Sequence, residues 1–171
     1  MLFDPVPQRG FTLIELMVVV ALAAVLLTLA APSFITTLAK NRFEGVVNEM
    51  VTDIQYARSE AVSRNVDVTF AVGTSRTCYT ISAAGACDCT ASPACSGGAI
   101  EIKTVQFAES GAKAASAVTF AFEPVRGALT GSLTQLDMTR TGHPWVLRAE
   151  VAAIGRVKAC SPSGFTGYPP C

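Results

Sequence analysis

Six cysteines, one histidine and a single acid inside an apolar run are the residues of this 171-residue chain whose types and spacing could do chemistry. Cys78, Cys87, Cys89 and Cys95 follow the pattern C-x8-C-x-C-x5-C, while Cys160 and Cys171 stand apart from them. The four lack the paired C-x2-C knuckles of a structural zinc site, and the C-x-x-C of a thiol–disulfide catalyst does not occur. An even number of cysteines, all beyond the apolar run, points instead to disulfides made in an oxidising compartment, outside the cytoplasm. Cys160 and Cys171 would close a loop, SPSGFTGYPP, that has little means of burying itself, so a bridge worth about 3 kcal/mol is expected to tether it. For the other four only a local grouping around the irregular stretch AAGACDCTASPACSGG is expected.

Enzyme chemistry finds little support. His143, in TGHPW, is the one histidine, which excludes two-histidine metal motifs and leaves any serine triad dependent on a residue in a turn. SGAK at 110–113 fits S-x-x-K without the partner motifs S-D-N and K-T-G, and neither a P-loop nor G-x-G-x-x-G is present. No catalytic residue, metal, cofactor or small-molecule substrate is expected. Glu15 raises a different question, because a carboxylate at a bilayer centre costs roughly 2.5–3.5 kcal/mol and seeks a cationic partner.

The element that must carry Glu15 is the run Phe11–Ala31, FTLIELMVVVALAAVLLTLAA, polar only at Thr12, Glu15 and Thr28. At about 1.5 Å per residue its helix would span roughly 30 Å, the hydrocarbon thickness of a membrane. A cleaved secretory signal is the ordinary alternative, with Arg9 as its basic region, but such a signal has no use for a buried acid. The helical pattern also continues. Apolar Phe34, Leu38, Phe43, Val47, Met50, Ile54, Ala57 and Ala61 recur every three to five residues, opposite Glu49, Asp53, Arg58, Glu60 and Arg64, as in an amphipathic helix. Pro32 lacks the amide a helix interior needs, so a kink is expected there.

Beyond the helix, VDVTFAV, CYTIS, AIEIKTVQF, AVTFAF, SLTQLDM, WVLRAEV and GRVKA are short β-rich runs separated by Gly, Ser or Pro turns. The expected fold is α+β: a long N-terminal helix, half transmembrane and half amphipathic, packed on a mostly antiparallel sheet or a small two-sheet domain. Overall the chain is 50% hydrophobic and only 15% charged, where about 25% charged is ordinary. Thirteen basic residues balance thirteen acidic ones, which argues against a protein that coats nucleic acid through its total charge.

RGFTLIELMVVVALAAVLLTLAAPSF, residues 9–34, resembles the class III signal and anchor of type IV prepilins and type II secretion pseudopilins. That resemblance implies cleavage between Gly10 and Phe11 by a prepilin peptidase, N-methylation of Phe11, and retention of the apolar segment as an assembly helix. Glu15 would then pair with the positively charged amino terminus of a neighbouring subunit's Phe11, and Pro32 falls where such helices kink. ARSEAVSRNVDVTFAV (57–72), FEPVRGALTG (122–131) and GRVKACSP (155–162) resemble the GspH/FimT branch, whose members include FimT- and FimU-type minor pilins and, as close relatives, H-type pseudopilins. The implied organisation is a leader at 1–10, a transmembrane assembly helix at 11–31, an amphipathic helix at 32–65 and a β-rich periplasmic domain at 66–171.

The charges are unevenly placed. Residues 43–67 hold five acids against two bases, and 138–171 hold Arg140, Arg148, Arg156 and Lys158 against Glu150. Some FimT-type pilins bind DNA through a basic GRxR-like element, which falls here on Gly155–Lys158, with Arg156, Lys158, Arg148 and Arg140 as candidates. Lysine at 158 lacks the planar fork that grips phosphate, and four cations on a short segment would give modest, salt-sensitive binding. A solvated strand edge whose charges discourage aggregation is the favoured reading of these residues. The expected function is a minor pilin of a type IV pilus that primes or caps the filament. Its partners would be other minor and major pilins, the prepilin peptidase and an inner-membrane assembly platform. The alternatives are an H-type pseudopilin of a type II secretion system and a DNA-binding pilin for natural transformation. The expected location is the bacterial inner membrane, single-pass with the C-terminal domain in the periplasm, then the filament tip.

Overall fold

The structure, a computed structural model, describes residues 10–131 and 133–171, with the side chains of 29–32 excepted. Helix α1 (Leu13–Arg64) is the one long helix among them. The chain divides into two compact units, Met1–Lys40 and Asn41–Cys171, and α1 contributes residues to both.

In the first unit the side chains from Phe11 to Thr28 are exposed, among them Leu13 at 77%, Met17 at 65% and Leu26 at 67%. Apolar side chains on every face of a helix, with no core to receive them, suit lipid or other apolar helices and not water. No single described helix is long and apolar enough to cross a membrane; Leu13–Thr28 and Ser33–Arg64 pass that test only together, as a bent pair. Residues 1–9 of the expected leader at 1–10, and the expected kink at the Pro32 side chain, lie outside the described residues.

In the second unit the stripe along α1 is buried where a domain exists to cover it. Phe43, Val47, Met50, Ile54, Ala57 and Ala61 are all fully buried. Phe34 and Leu38, expected on the same stripe, are 70% and 41% exposed. They precede Asn41, where the unit containing the sheets begins. Asp53, expected on the polar face, is instead buried, for a reason given below.

Two four-stranded antiparallel sheets supply the rest of the core. The first has the order β3 (Ile100–Gln106), β2 (Cys78–Ala83), β1 (Val68–Val72) and β5 (Thr119–Phe122). The second has the order β4 (Ala112–Ala114), β6 (Thr134–Arg140), β7 (His143–Val151) and β8 (Val157–Cys160). All seven β-rich runs contain a strand, and β4 is an eighth that the sequence pattern did not mark. It is three residues, Ala-Lys-Ala, too short to alternate and poor in strand-forming side chains. Phe70 stacks between Tyr79 and Phe120, with centroids 4.9 and 5.2 Å away, which fastens β1 to both neighbours through aromatic pairs.

Strand alternation sends Tyr79 and Ile81 into the core with the helix, so Thr80 and Ser82 face the other side of the sheet. The cysteine-rich segment covers that side. Thr80 donates to the Cys87 carbonyl at 2.9 Å, Ser82 to the Gly85 carbonyl at 2.6 Å, and Gln106 to the Cys89 carbonyl at 2.8 Å. Bridges Cys78–Cys89 and Cys87–Cys95 close this segment. A loop without regular structure thus satisfies buried hydroxyls that would otherwise be costly.

The third bridge is Cys160–Cys171. The loop it closes was expected to lack a means of burying itself; the structure corrects this, because Phe165 is 7% exposed. Its ring meets Phe43 at 5.9 Å and Trp145 at 5.7 Å, both edge-on. The Tyr168 hydroxyl donates to Asn48 Oδ1 at 2.8 Å, which ties the loop to α1. Replacing both Cys160 and Cys171 by serine is therefore expected to destabilise the protein by about 3 kcal/mol or less, with the half-buried Trp145 still packed against Phe165. Thermal melts followed by tryptophan fluorescence read both quantities, and a red-shifted native Trp145 emission would contradict the aromatic anchor.

Candidate functional site

Three segments that carried the family resemblance, separated by about a hundred residues, meet at one place. Arg58, from ARSEA on α1, donates its Nε–H to the Gly127 carbonyl at 2.9 Å. Gly127 ends the EPVRG turn after β5, and Leu129 N–H donates to the Ala153 carbonyl at 2.9 Å, which joins that turn to the one between β7 and β8. Gly155 of GRVK completes the junction at φ +78°, in the left-handed region. A Cβ at 155 would lie 2.1 Å from the Gly127 carbonyl oxygen and 2.6 Å from Arg58 Nε. The position accepts glycine for conformation and for space.

Beside the junction is a cleft of about 400 Å³, lined by Gln55, Arg58, Ser59 and Val62 from one face of α1, by Arg126, Gly155 and Arg156 from the two turns, and by Val157 at the start of β8. Arg126 and Arg156 are exposed. The other expected basic candidates lie elsewhere and are occupied. Arg148 grips Asp137 with two hydrogen bonds of 2.6 and 2.9 Å, and that hydrogen bond raises its pKa above the usual arginine value. Lys158 pairs with Glu150 at 2.7 Å, and Arg140 donates to the Ser110 carbonyl at 2.6 Å. Of Arg140, Arg148, Arg156 and Lys158 only Arg156 reaches the cleft, where Arg58 and Arg126 join it. The available signal for those two was an arginine next to glycine in EPVRG, read as a mark of family, and the arginine of ARSEA, read as that and as a charge on the polar face of the helix.

A second polar centre was not anticipated. Asp53 is 5% exposed and accepts hydrogen bonds from the Tyr79 hydroxyl at 2.7 Å and Lys103 Nζ at 2.8 Å. Burial, reinforced by the bond to Asp53, pushes the Tyr79 pKa well up, and the bond to Asp53 raises that of Lys103. A buried carboxylate is tolerable only with such partners. This centre joins α1 to β2 and β3, and its Asp53 and Lys103 line an open cleft of about 350 Å³ together with Thr52, Tyr56 and Ile102.

Among the described residues one group, Glu150, Cys160 and Cys171, brings metal-type ligand atoms within 4.8 Å of one another. Its two sulfurs are bonded to each other and its carboxylate to Lys158, so the donor set does not suit a metal ion. His143 stacks on Trp145 with centroids 4.0 Å apart.

In the first unit Glu15 lies in the first turn of α1, its N–H bonded to Thr12 Oγ1 at 3.3 Å. Among the described residues its carboxylate has no cationic partner. Phe11, just before the helix, is 84% exposed.

Residues 46–155 match the protein family described as type II transport protein GspH. The chain belongs to the GspH family. Residues 7–31 match the prokaryotic N-terminal methylation motif, which covers Gly10, Phe11 and Glu15. With its apolar helix, this GspH-family protein is a membrane-anchored, pilin-like chain whose family role is structural. Two solved structures of the type IV minor pilin FimU of Pseudomonas aeruginosa strain PAO1 share its fold. In one the TM-score is 0.53 at 18% identity, over 70% of this chain and 88% of that one. In the other it is 0.50 at 19% identity, over 68% and 90%. No curated relative matches.

Proposed function

We propose that the chain is a minor pilin of a type IV pilus. It is cut after Gly10 by the prepilin peptidase, methylated on Phe11, and held in the bacterial inner membrane by residues 11–31 with the β-rich domain in the periplasm. From there the assembly platform passes it into the filament tip, where its helix packs against other minor and major pilins to prime or cap the fibre. The observation that carries this reading is Glu15, a carboxylate on an exposed apolar helix with no cation among the described residues. A neighbour's methylated amino terminus supplies that cation, and in apolar surroundings an ion pair made only on assembly selects the correct register. The FimU likeness supports the pilus side. The family description supports a second reading, an H-type pseudopilin of a type II secretion system.

Glu15→Ala is expected to leave leader cleavage intact and to reduce incorporation into sheared filaments at least tenfold, read by immunoblot of filament and membrane fractions. Normal incorporation of that variant would remove the role assigned to Glu15. Deletion of the gene separates the machines: loss of piliation with secretion intact supports the pilus reading, and the reverse supports the pseudopilin. For DNA uptake, three of the four expected basic residues are held by Asp137, Glu150 and Ser110, so few charges remain for a polyanion.

A further inference from the structure

The cleft beside Arg58 is built to receive negative charge. Its lining contains three arginines and no acid. Arg58 is fixed by its bond to the Gly127 carbonyl, which leaves the terminal nitrogens of its guanidinium for another acceptor. The side chains of Arg126 and Arg156 hold no hydrogen bond or ion pair among the described residues, although each has the planar fork that binds a carboxylate through two parallel hydrogen bonds. Like charges brought together in a concave site, without an internal counter-ion, raise the local potential and favour an anion.

The surroundings choose among anions. Next to Arg126 in the chain is Val125, 79% exposed, and next to Gly155 is Ile154, 69% exposed; Val62 on the cleft wall is 49% exposed. Large aliphatic side chains around a basic cleft fit a protein surface, where an apolar contact and a charged hydrogen bond are made together. A phosphate backbone has no use for them. It also calls for a track of cations, and Arg140, Arg148 and Lys158 are already partnered.

We infer that the cleft lined by Arg58, Arg126 and Arg156 is a docking site for an acidic side chain, an Asp or Glu flanked by aliphatic residues, on a neighbouring filament subunit. Only the source of the carboxylate rests on the filament reading. The cleft's preference for a carboxylate can be measured without a filament, so the two stand or fall separately.

The test is titration of the full chain in detergent micelles, observed through arginine Nε–Hε and backbone amide NMR signals. The probes are acetyl-Ile-Glu-Val-amide, acetyl-Ile-Gln-Val-amide and a 12-base-pair DNA duplex. The glutamate peptide is expected to shift the Arg126 and Arg156 signals saturably. The glutamine peptide should bind at least tenfold more weakly, and Arg126→Gln plus Arg156→Gln should weaken the glutamate peptide at least tenfold. Both side chains are exposed and unbonded, so the amide spectrum of the double variant should otherwise match the parent. Equal shifts from the two peptides, or none from the glutamate peptide, would overturn the carboxylate site. Duplex binding that is steeply salt-dependent and abolished by the double variant, without peptide binding, would overturn it in favour of a nucleic-acid surface.

Discussion

Asp53→Ala is expected to lower the thermal midpoint of this protein by roughly 10 °C. The residue is 5% exposed and accepts from both Tyr79 and Lys103; Lys103 also has the Glu49 carboxylate at 3.7 Å. Without it the Tyr79 hydroxyl, on a residue 1% exposed, is left unsatisfied in the core, which costs about 1–3 kcal/mol. Lys103 loses the carboxylate 2.7 Å from its ammonium. Its side chain is 37% exposed, so water screens much of that loss and it adds less than a fully buried pair would. A total near 3 kcal/mol is therefore expected, and in a domain of this size each kcal/mol moves the midpoint by roughly 3–4 °C. Asp53→Asn keeps an oxygen for Tyr79 and should cost about half as much. Melts of the two variants that coincide with the parent would mean that the centre contributes nothing to the fold.

The same centre sets the alkaline limit. Burial raises the Tyr79 pKa, so at high pH the unfolded chain loses this phenolic proton while the folded chain keeps it. Above pH ~10 the unfolded state binds fewer protons and stability falls as pH rises. The raised pKa of Lys103 acts in the same direction, since its favourable charge is also lost on the alkaline side. Denaturant melts between pH 8 and 11, taken from the ordinary range of these groups, should show a declining stability that is shallower in Tyr79→Phe. An identical slope in that variant would assign the alkaline loss to other groups.

Periodicity made the second half of α1 legible because the burial of Phe43 through Ala61 obeys the helical repeat. The strands were legible because each run is bounded by turn residues. What escaped depends on pairing between distant parts of the chain. Asp53 looks like any acid on a helix until Tyr79 and Lys103, 26 and 50 residues away in sequence, are brought to it by the strand register. The basic tally over 138–171 misled for the same reason: the partner of Arg148 is Asp137, directly opposite it across β6 and β7 and one residue outside that stretch. Arg126, counted in neither charged segment, reaches the cleft only because its turn is held against the turn containing Gly155.

That contact yields the largest steric effect expected of any single substitution at the junction. Gly155 and Gly142 occupy turns at the two ends of β7 with nearly the same backbone angle, φ +78° and +80°. A side chain at Gly142 would meet nothing within 4 Å, whereas at Gly155 it would stand 2.1 Å from a backbone oxygen. Gly142→Ala therefore measures the conformational penalty alone, about 1 kcal/mol. Gly155→Ala adds a collision that only a backbone shift can relieve, and the combined cost should be about 3 kcal/mol or more. Trimming Arg58 to alanine in the same molecule removes the contact with Nε but leaves the Gly127 carbonyl in place, so it should not restore stability. Equal losses from the two glycine substitutions would show that the turns are free to separate. A much larger loss at 155, not relieved by Arg58→Ala, means that GRVK is first a clasp between turns. Arg156 then reaches the cleft because Gly155 allows the backbone so close.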